Sequence, residues 1–138
     1  SGGLVSHSAF YLLRGGRPLR EMIEVETNPL QKVAIALFGP LLVPVAPFEP
    51  MFFLAQARQV RAAVSLPLAY LGGATSLADL ARARAEGFEM VAMGRALLRE
   101  PELIARYARG EARESACRPC NRCVTEMDRP GGVVCALA

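Results

Sequence analysis

Apolar and polar positions fall into blocks along this chain, and the period of the pattern changes from block to block. Met51, Phe52, Leu54, Ala57, Val60 and Val64 recur at the spacing of one helix face, and Pro50 stands where a first helical turn accepts proline. An amphipathic helix is therefore expected over residues 50–64. The run LPLAYL at 66–71 is apolar throughout and closes on Gly72-Gly73, as a strand buried on both faces would. Ser76 with Asp79 three residues on forms a helix-start signal, and the stripe Leu77, Leu80, Ala81, Ala85 runs on to Gly87. A second buried strand, EMVAM at 89–93, closes on Gly94-Arg95. A short helix at 96–99 and a longer one from Pro101 to Gly110 follow.

Strand, helix, strand, helix at this spacing predicts parallel α/β architecture, because a parallel pair needs a crossover of a dozen or more residues. The flanks read differently. Residues 1–20 are Gly-rich loop with at most a strand end at 9–13. Residues 21–50 hold an amphipathic stretch at 30–37 and an apolar segment interrupted by Gly39, Pro40, Pro44 and Pro47. Thirty residues without a strand suggest an excursion from the core, a buried or partner-facing loop. The expected organisation is a β/α portion over 1–110 and a Cys-rich tail over 111–138.

Composition narrows the function classes. The 138 residues are 52% hydrophobic and 21% charged, and 16 basic against 13 acidic residues give a net charge of +3. That is too small and too scattered to argue for nucleic acid. The uncharged stretch 33–48 is shorter than the roughly 20 residues of a membrane span, so none is expected. SGGLVSHSAF lacks the basic start and apolar core of a signal peptide, which predicts a reducing, cytoplasmic setting. There the four cysteines are ligand candidates before they are disulfide candidates.

Two features carry chemistry. Gly72-Gly73 and Gly94-Arg95 each end a strand with a helix close behind, where backbone without Cβ lets a phosphate approach and exposed N–H groups favour it. Arg95 supplies a fork-shaped cation for the same anion. Cys117, Cys120, Cys123 and Cys135 read C-x2-C-x2-C-x11-C, a spacing suited to a polynuclear metal centre. Zinc or thiols without metal are the alternatives. Arg118, Arg122 and Arg129 would offset thiolate charge. His7, the only histidine, is expected to be an ordinary loop residue, and Tyr11 and Tyr70 to be packing residues.

The segments YLGGATS (70–76), EMVAMGRALLREPEL (89–103) and CRPCNRC (117–123), with the opening SGG and the LLRGGRP loop, resemble the C-terminal part of the Old Yellow Enzyme family. These are FMN-dependent NAD(P)H:flavin oxidoreductases, and the nearer branch includes 2,4-dienoyl-CoA reductase and trimethylamine dehydrogenase. The resemblance implies a (β/α)8 TIM barrel portion from the end of strand six, at residues 1–3, through helix eight. Strand seven would be 66–71 and strand eight 89–93. It implies that Gly72, Gly73, Gly94 and Arg95 bind the FMN phosphate, and that the four cysteines hold a [4Fe–4S] cluster. It further implies reduction of activated C=C bonds in a small unsaturated substrate with NAD(P)H as reductant, and a homo-oligomer when complete.

The family's flavin-ring, substrate-anchoring and proton-donating residues have no match here, so no catalytic residue is assigned. A full barrel takes about 250 residues. The expectation is thus an incomplete barrel, inactive alone, whose missing N-terminal portion carries the catalytic groups. Two other readings stay open: a non-catalytic Cys-rich metal-binding module, and a phosphate-binding barrel portion of another enzyme.

Overall fold

In the computed structural model, which describes residues 14–126 and 131–137, the chain divides into two units. One is Phe48–Cys117; the other comprises the described parts of Ser1–Pro47 and Arg118–Ala138. The opening SGG, His7, Tyr11 and Arg129 lie outside the described residues.

The Phe48–Cys117 unit has the alternation expected of it. Helix α3 (Leu54–Ala63) leads to strand β1 (Ala69–Leu71), helix α4 (Leu77–Ala85), strand β2 (Met90–Ala92), and helices α5 (Gly94–Arg99) and α6 (Leu103–Ala108). The strands pair in parallel, Ala69 opposite Met90, Tyr70 opposite Val91 and Leu71 opposite Ala92. Two β/α units in a parallel sheet make this an α/β fold. Helix α4 starts where Ser76 and Asp79 form a complete capping box, and it stops before Gly87, whose φ of 84° ends the helix at little cost.

The core of this unit gathers Met51, Leu54, Tyr70, Ala83, Phe88 and Leu103, with the Tyr70 and Phe88 rings edge-on at 5.5 Å. Two expectations need correcting. The strands are not buried on both faces: Tyr70 is fully buried, but Leu71 is 64% and Met90 57% exposed. Side chains alternate across a pleated sheet, so Tyr70 enters the core while Ala69 and Leu71, on the other face, stay exposed. Helix α3 also starts later than expected. Met51 adopts φ 56° and donates its N–H to the Gly73 carbonyl at 3.3 Å, so residues 50–53 form a turn before the helix.

The second unit is helical where the sequence suggested loop. Helix α1 (Leu19–Val25) packs against helix α2 (Pro29–Leu42) and against the short helix α7 (Arg122–Thr125). Asn28 caps α2 by accepting from the Leu30 N–H at 2.9 Å, and Pro29 takes the first helical position. The helix passes through Pro40 because that residue sits in the last turn, where a missing N–H costs one hydrogen bond and few residues follow. Gly39 is the contact point with α1: a Cβ there would lie 3.0 Å from Leu19 Cδ2. Among the described residues no helix is long and apolar enough to cross a membrane.

Candidate functional site

Both glycine pairs lie at the C-terminal ends of the paired strands, in the loop after β1 and at the start of α5 after β2. Gly72 and Gly73 adopt φ of 146° and 78°. Their carbonyls are held from within the unit. The Tyr70 hydroxyl donates to the Gly72 oxygen at 2.7 Å, and the Met51 N–H donates to the Gly73 oxygen. Burial pushes the Tyr70 phenol up, so it stays a donor at neutral pH.

The rest of the β1–α4 loop is clamped as firmly. Asp79 is buried and its Oδ2 accepts from the Thr75 and Ser76 N–H groups, each at 2.9 Å. The Tyr107 hydroxyl donates to the Thr75 carbonyl at 2.9 Å. Residues 113–115 run antiparallel alongside: the Leu77 N–H donates to the Arg113 oxygen and the Ser115 N–H to the Thr75 oxygen, each at 2.8 Å.

Glu100 anchors that strip. Its Oε2 accepts from Ser115 Oγ at 2.8 Å and from the Ala116 N–H, and its Oε1 accepts from Arg106. Burial pushes the Glu100 carboxyl up, but these hydrogen bonds and the Arg106 charge outweigh it and hold the group below the usual glutamate range. A carboxylate whose folded pKa is depressed contributes stability that is complete above the unfolded value of about 4.3 and is lost as pH falls through the folded one. Glu100→Gln should therefore lower the denaturation midpoint at neutral pH, and the deficit against the parent should shrink as pH falls below the ordinary glutamate range and through the depressed folded pKa. A deficit independent of pH would contradict this assignment.

A feature the sequence pattern did not single out joins the two glycine sites. Phe48, Phe52 and Phe53 form an edge-on aromatic cluster, with centroids 6.2 Å apart for the first pair and 4.6 Å for the second. A Cβ on Gly73 would meet the Phe52 ring at 2.7 Å, and one on Gly72 would meet Phe53 at 2.9 Å. The Arg95 guanidinium lies 5.8 Å from the Phe48 ring centroid, within cation–π range. The cluster thus supports the strand-one loop and Arg95 together. The signal is three phenylalanines within six positions, of which the helical spacing picks out only Phe52.

Gly94 differs from Gly72 and Gly73. Its backbone is in an ordinary region, and among the described residues a Cβ there would meet nothing within 4 Å. Neither φ nor crowding requires glycine at this position, and the space beside it is open to a ligand. Helix α5 has only six residues, so its dipole adds little to anion binding; backbone approach at Gly94 and the Arg95 charge remain. A separate groove of about 250 Å³ lies between α3 and β1, lined by Phe53, Ala57, Val60, Leu68, Leu71 and Phe88. It contains none of the four phosphate candidates and is smaller than typical small-molecule sites of about 300–1,000 Å³.

The four cysteines are thiols, each half-buried. Cys117 packs against the core of the Phe48–Cys117 unit, while Cys120, Cys123 and Cys135 belong to the other unit. Among the described residues no three His, Cys, Asp or Glu side chains are grouped as a metal centre requires. The described part of the tail is tied to the RGG loop and to α1. The Gly16 N–H donates to the Pro119 oxygen at 2.6 Å, Asn121 Nδ2 donates to the Gly16 oxygen at 2.9 Å, and Arg122 pairs with Glu21 at 2.8 Å.

An α/β fragment with glycine loops at the ends of parallel strands is a frame used by many enzymes, and comparison with known proteins relates this one to an oxidoreductase. That relative is the 4,4'-dithiodibutanoate disulfide reductase of Rhodococcus erythropolis, 38% identical over 124 residues, which are 90% of this chain and 30% of the relative. The chain spans about 30% of the length of this curated protein. No family model matches the chain, and no solved structure matches it.

Proposed function

We propose that the chain is the FMN-phosphate-holding, C-terminal portion of a (β/α)8 oxidoreductase that draws on NAD(P)H. The observation that carries this reading is the open space at Gly94, beside an Arg95 supported by the same aromatic cluster as Gly72 and Gly73. A flavin phosphate would take its hydrogen bonds from backbone at the ends of β1 and β2 and a charged pair from Arg95. FMN, when bound, supplies a two-electron carrier between NAD(P)H and an acceptor.

This chain's share of the work is anchoring and orientation. Tyr70 and Met51 fix the Gly72 and Gly73 carbonyls in place, and Asp79 and Tyr107 keep the following residues from shifting. Flavin-ring and substrate contacts would come from the remaining barrel strands. The acceptor is an activated C=C bond by the family resemblance. The substrate in the relative's name favours a second acceptor, an aliphatic disulfide. With that acceptor the net reaction of this chain's protein would be NAD(P)H, a proton and RSSR giving NAD(P)+ and two RSH. The cysteine tail remains the ligand set that a cluster or zinc would use. As described it does not group three ligands, and no step is drawn through it.

The test uses the protein as its native gene encodes it. It should retain FMN through purification, and Arg95→Gln should raise the FMN dissociation constant about 10- to 100-fold while leaving riboflavin affinity unchanged, because only the phosphate contact is lost. Protein without flavin and without affinity for it would overturn the proposal. Oxidation of NAD(P)H by an enone or by dithiodibutanoate then separates the two acceptor classes.

A further inference from the structure

The phosphate candidates come from two strand ends in different β/α units: Gly72 and Gly73 open the β1–α4 loop, while Gly94 and Arg95 open α5. An anion shared between them needs the two backbones held in place to within about 0.5 Å. Glu100 closes α5. Its N–H donates to the Ala96 oxygen at 2.9 Å, and its own carbonyl accepts the Leu103 N–H at 3.0 Å. Ala96 and Leu103 are buried, and the six-residue helix is one rigid element of about 9 Å, so a shift at Glu100 is passed to Gly94. From that end the Glu100 carboxylate reaches the strip 113–116: Oε2 accepts from Ser115 Oγ at 2.8 Å and from the Ala116 N–H, while Arg106 holds Oε1 at 2.6 Å. The strip in turn pairs with the β1–α4 loop. The Ser115 N–H donates to the Thr75 oxygen and the Leu77 N–H to the Arg113 oxygen, with Ser76 opposite Glu114. A path thus runs from Gly94 through α5, Glu100, Ser115 and Thr75 to Gly73, and the parallel pairing of β1 with β2 closes it into a ring.

We infer that Glu100 is a positioning residue: without touching the anion, its carboxylate sets the separation of the two strand-end loops so that one phosphate meets both. This role rests on the flavin-phosphate reading given above. The juxtaposition favours it over plain anchoring of the strip. Anchoring alone could come from any neighbouring element. Here the anchor is the end of the helix whose start carries Gly94 and Arg95, and the strip's other partner is the loop that carries Gly72 and Gly73. The Glu100 side chain is 14% exposed and uses both oxygens, so the joint is sheltered from water and held in one geometry.

The protein as its native gene encodes it is titrated with FMN and with riboflavin, at a temperature where the variants keep the parent's circular dichroism spectrum. Glu100→Gln should raise the FMN dissociation constant about tenfold and leave that of riboflavin within about twofold, because only the phosphate contacts depend on the separation. Ser115→Ala removes one bond and leaves the carboxylate on Ala116 and Arg106, so a rise of about threefold is expected whether or not Glu100→Gln folds. Arg58→Gln breaks an ion pair of the same unit that lies off this path, joining α3 to the end of α4, and should bind both flavins like the parent. If Arg95→Gln loses FMN selectively while Glu100→Gln and Ser115→Ala bind it like the parent, this role is overturned and the flavin reading stands. Equal weakening of both flavins, or the same phosphate-specific loss in Arg58→Gln, also overturns it, since softening of the unit alone would do that. A parent without affinity for flavin overturns both.

Discussion

Gly94→Ala should leave the fold as stable as the parent, or more stable by about 0.5 kcal/mol, and should weaken FMN binding at least about tenfold. The first half follows from position: Gly94 opens α5 with ordinary backbone, and among the described residues its Cβ would have no neighbour within 4 Å. Alanine loses less conformational freedom on folding than glycine, so the change costs the protein nothing. The second half follows from the proposal, since the methyl would stand where a phosphate oxygen has to approach the backbone. Gly73→Ala should behave in the opposite way. Its φ of 78° costs an L-residue about 1–2 kcal/mol, and its Cβ would press on the Phe52 ring at 2.7 Å and on the Glu49 oxygen at 3.1 Å. A loss of about 2–4 kcal/mol is expected, read as a lower denaturation midpoint. Flavin titration and denaturation of the two variants separate a glycine kept for the fold from one kept for a ligand. If Gly94→Ala bound FMN like the parent, the phosphate would not lie at this strand end.

That contrast marks what the sequence could and could not show. Both glycine pairs were legible as strand ends, since short apolar runs closing on glycine and followed by helix signals have few other readings. The parallel pairing of 69–71 with 90–92 followed from the crossover length. Which glycine obeys backbone need and which leaves open space was not legible, because it depends on rings brought in from residues 48–53. The exposed Leu71 and Met90 were misjudged for a related reason. An apolar run reports what a strand can bury, and only its neighbours decide whether both faces are covered. The sequence marks residues 30–37 of α2 as an amphipathic stretch but takes the apolar segment around Gly39 and Pro40 as loop, because proline counts as a breaker, when its place in the last turn makes it inexpensive.

Asn121→Ala should destabilise the second unit by about 2–4 kcal/mol and raise the labelling rates of Cys120 and Cys123. Asn121 is 1% exposed and has φ 63°, a left-handed conformation that Asn tolerates better than other residues with a side chain. Its amide donates to the Gly16 oxygen at 2.9 Å and the Arg14 oxygen at 3.3 Å. Alanine would strand two carbonyls and strain the backbone between Cys120 and Cys123. Gly15→Ala attacks the same joint from the other side. Its φ is 119° and its Cβ would lie 2.1 Å from the Pro119 oxygen, so residues 118–121 would have to move away. The spacing of the four cysteines predicts order through a metal. The described tail is also tied to the RGG loop at residues 14–16, and this requirement explains glycine at 15 independently of any ligand. Timed alkylation with mass-spectrometric readout at each cysteine checks the claim, with Cys117, packed in the other unit's core, as internal reference. Labelling of Cys120 and Cys123 unchanged in both variants would show that something other than this clamp holds the tail, and a bound metal would then be the first candidate to assay.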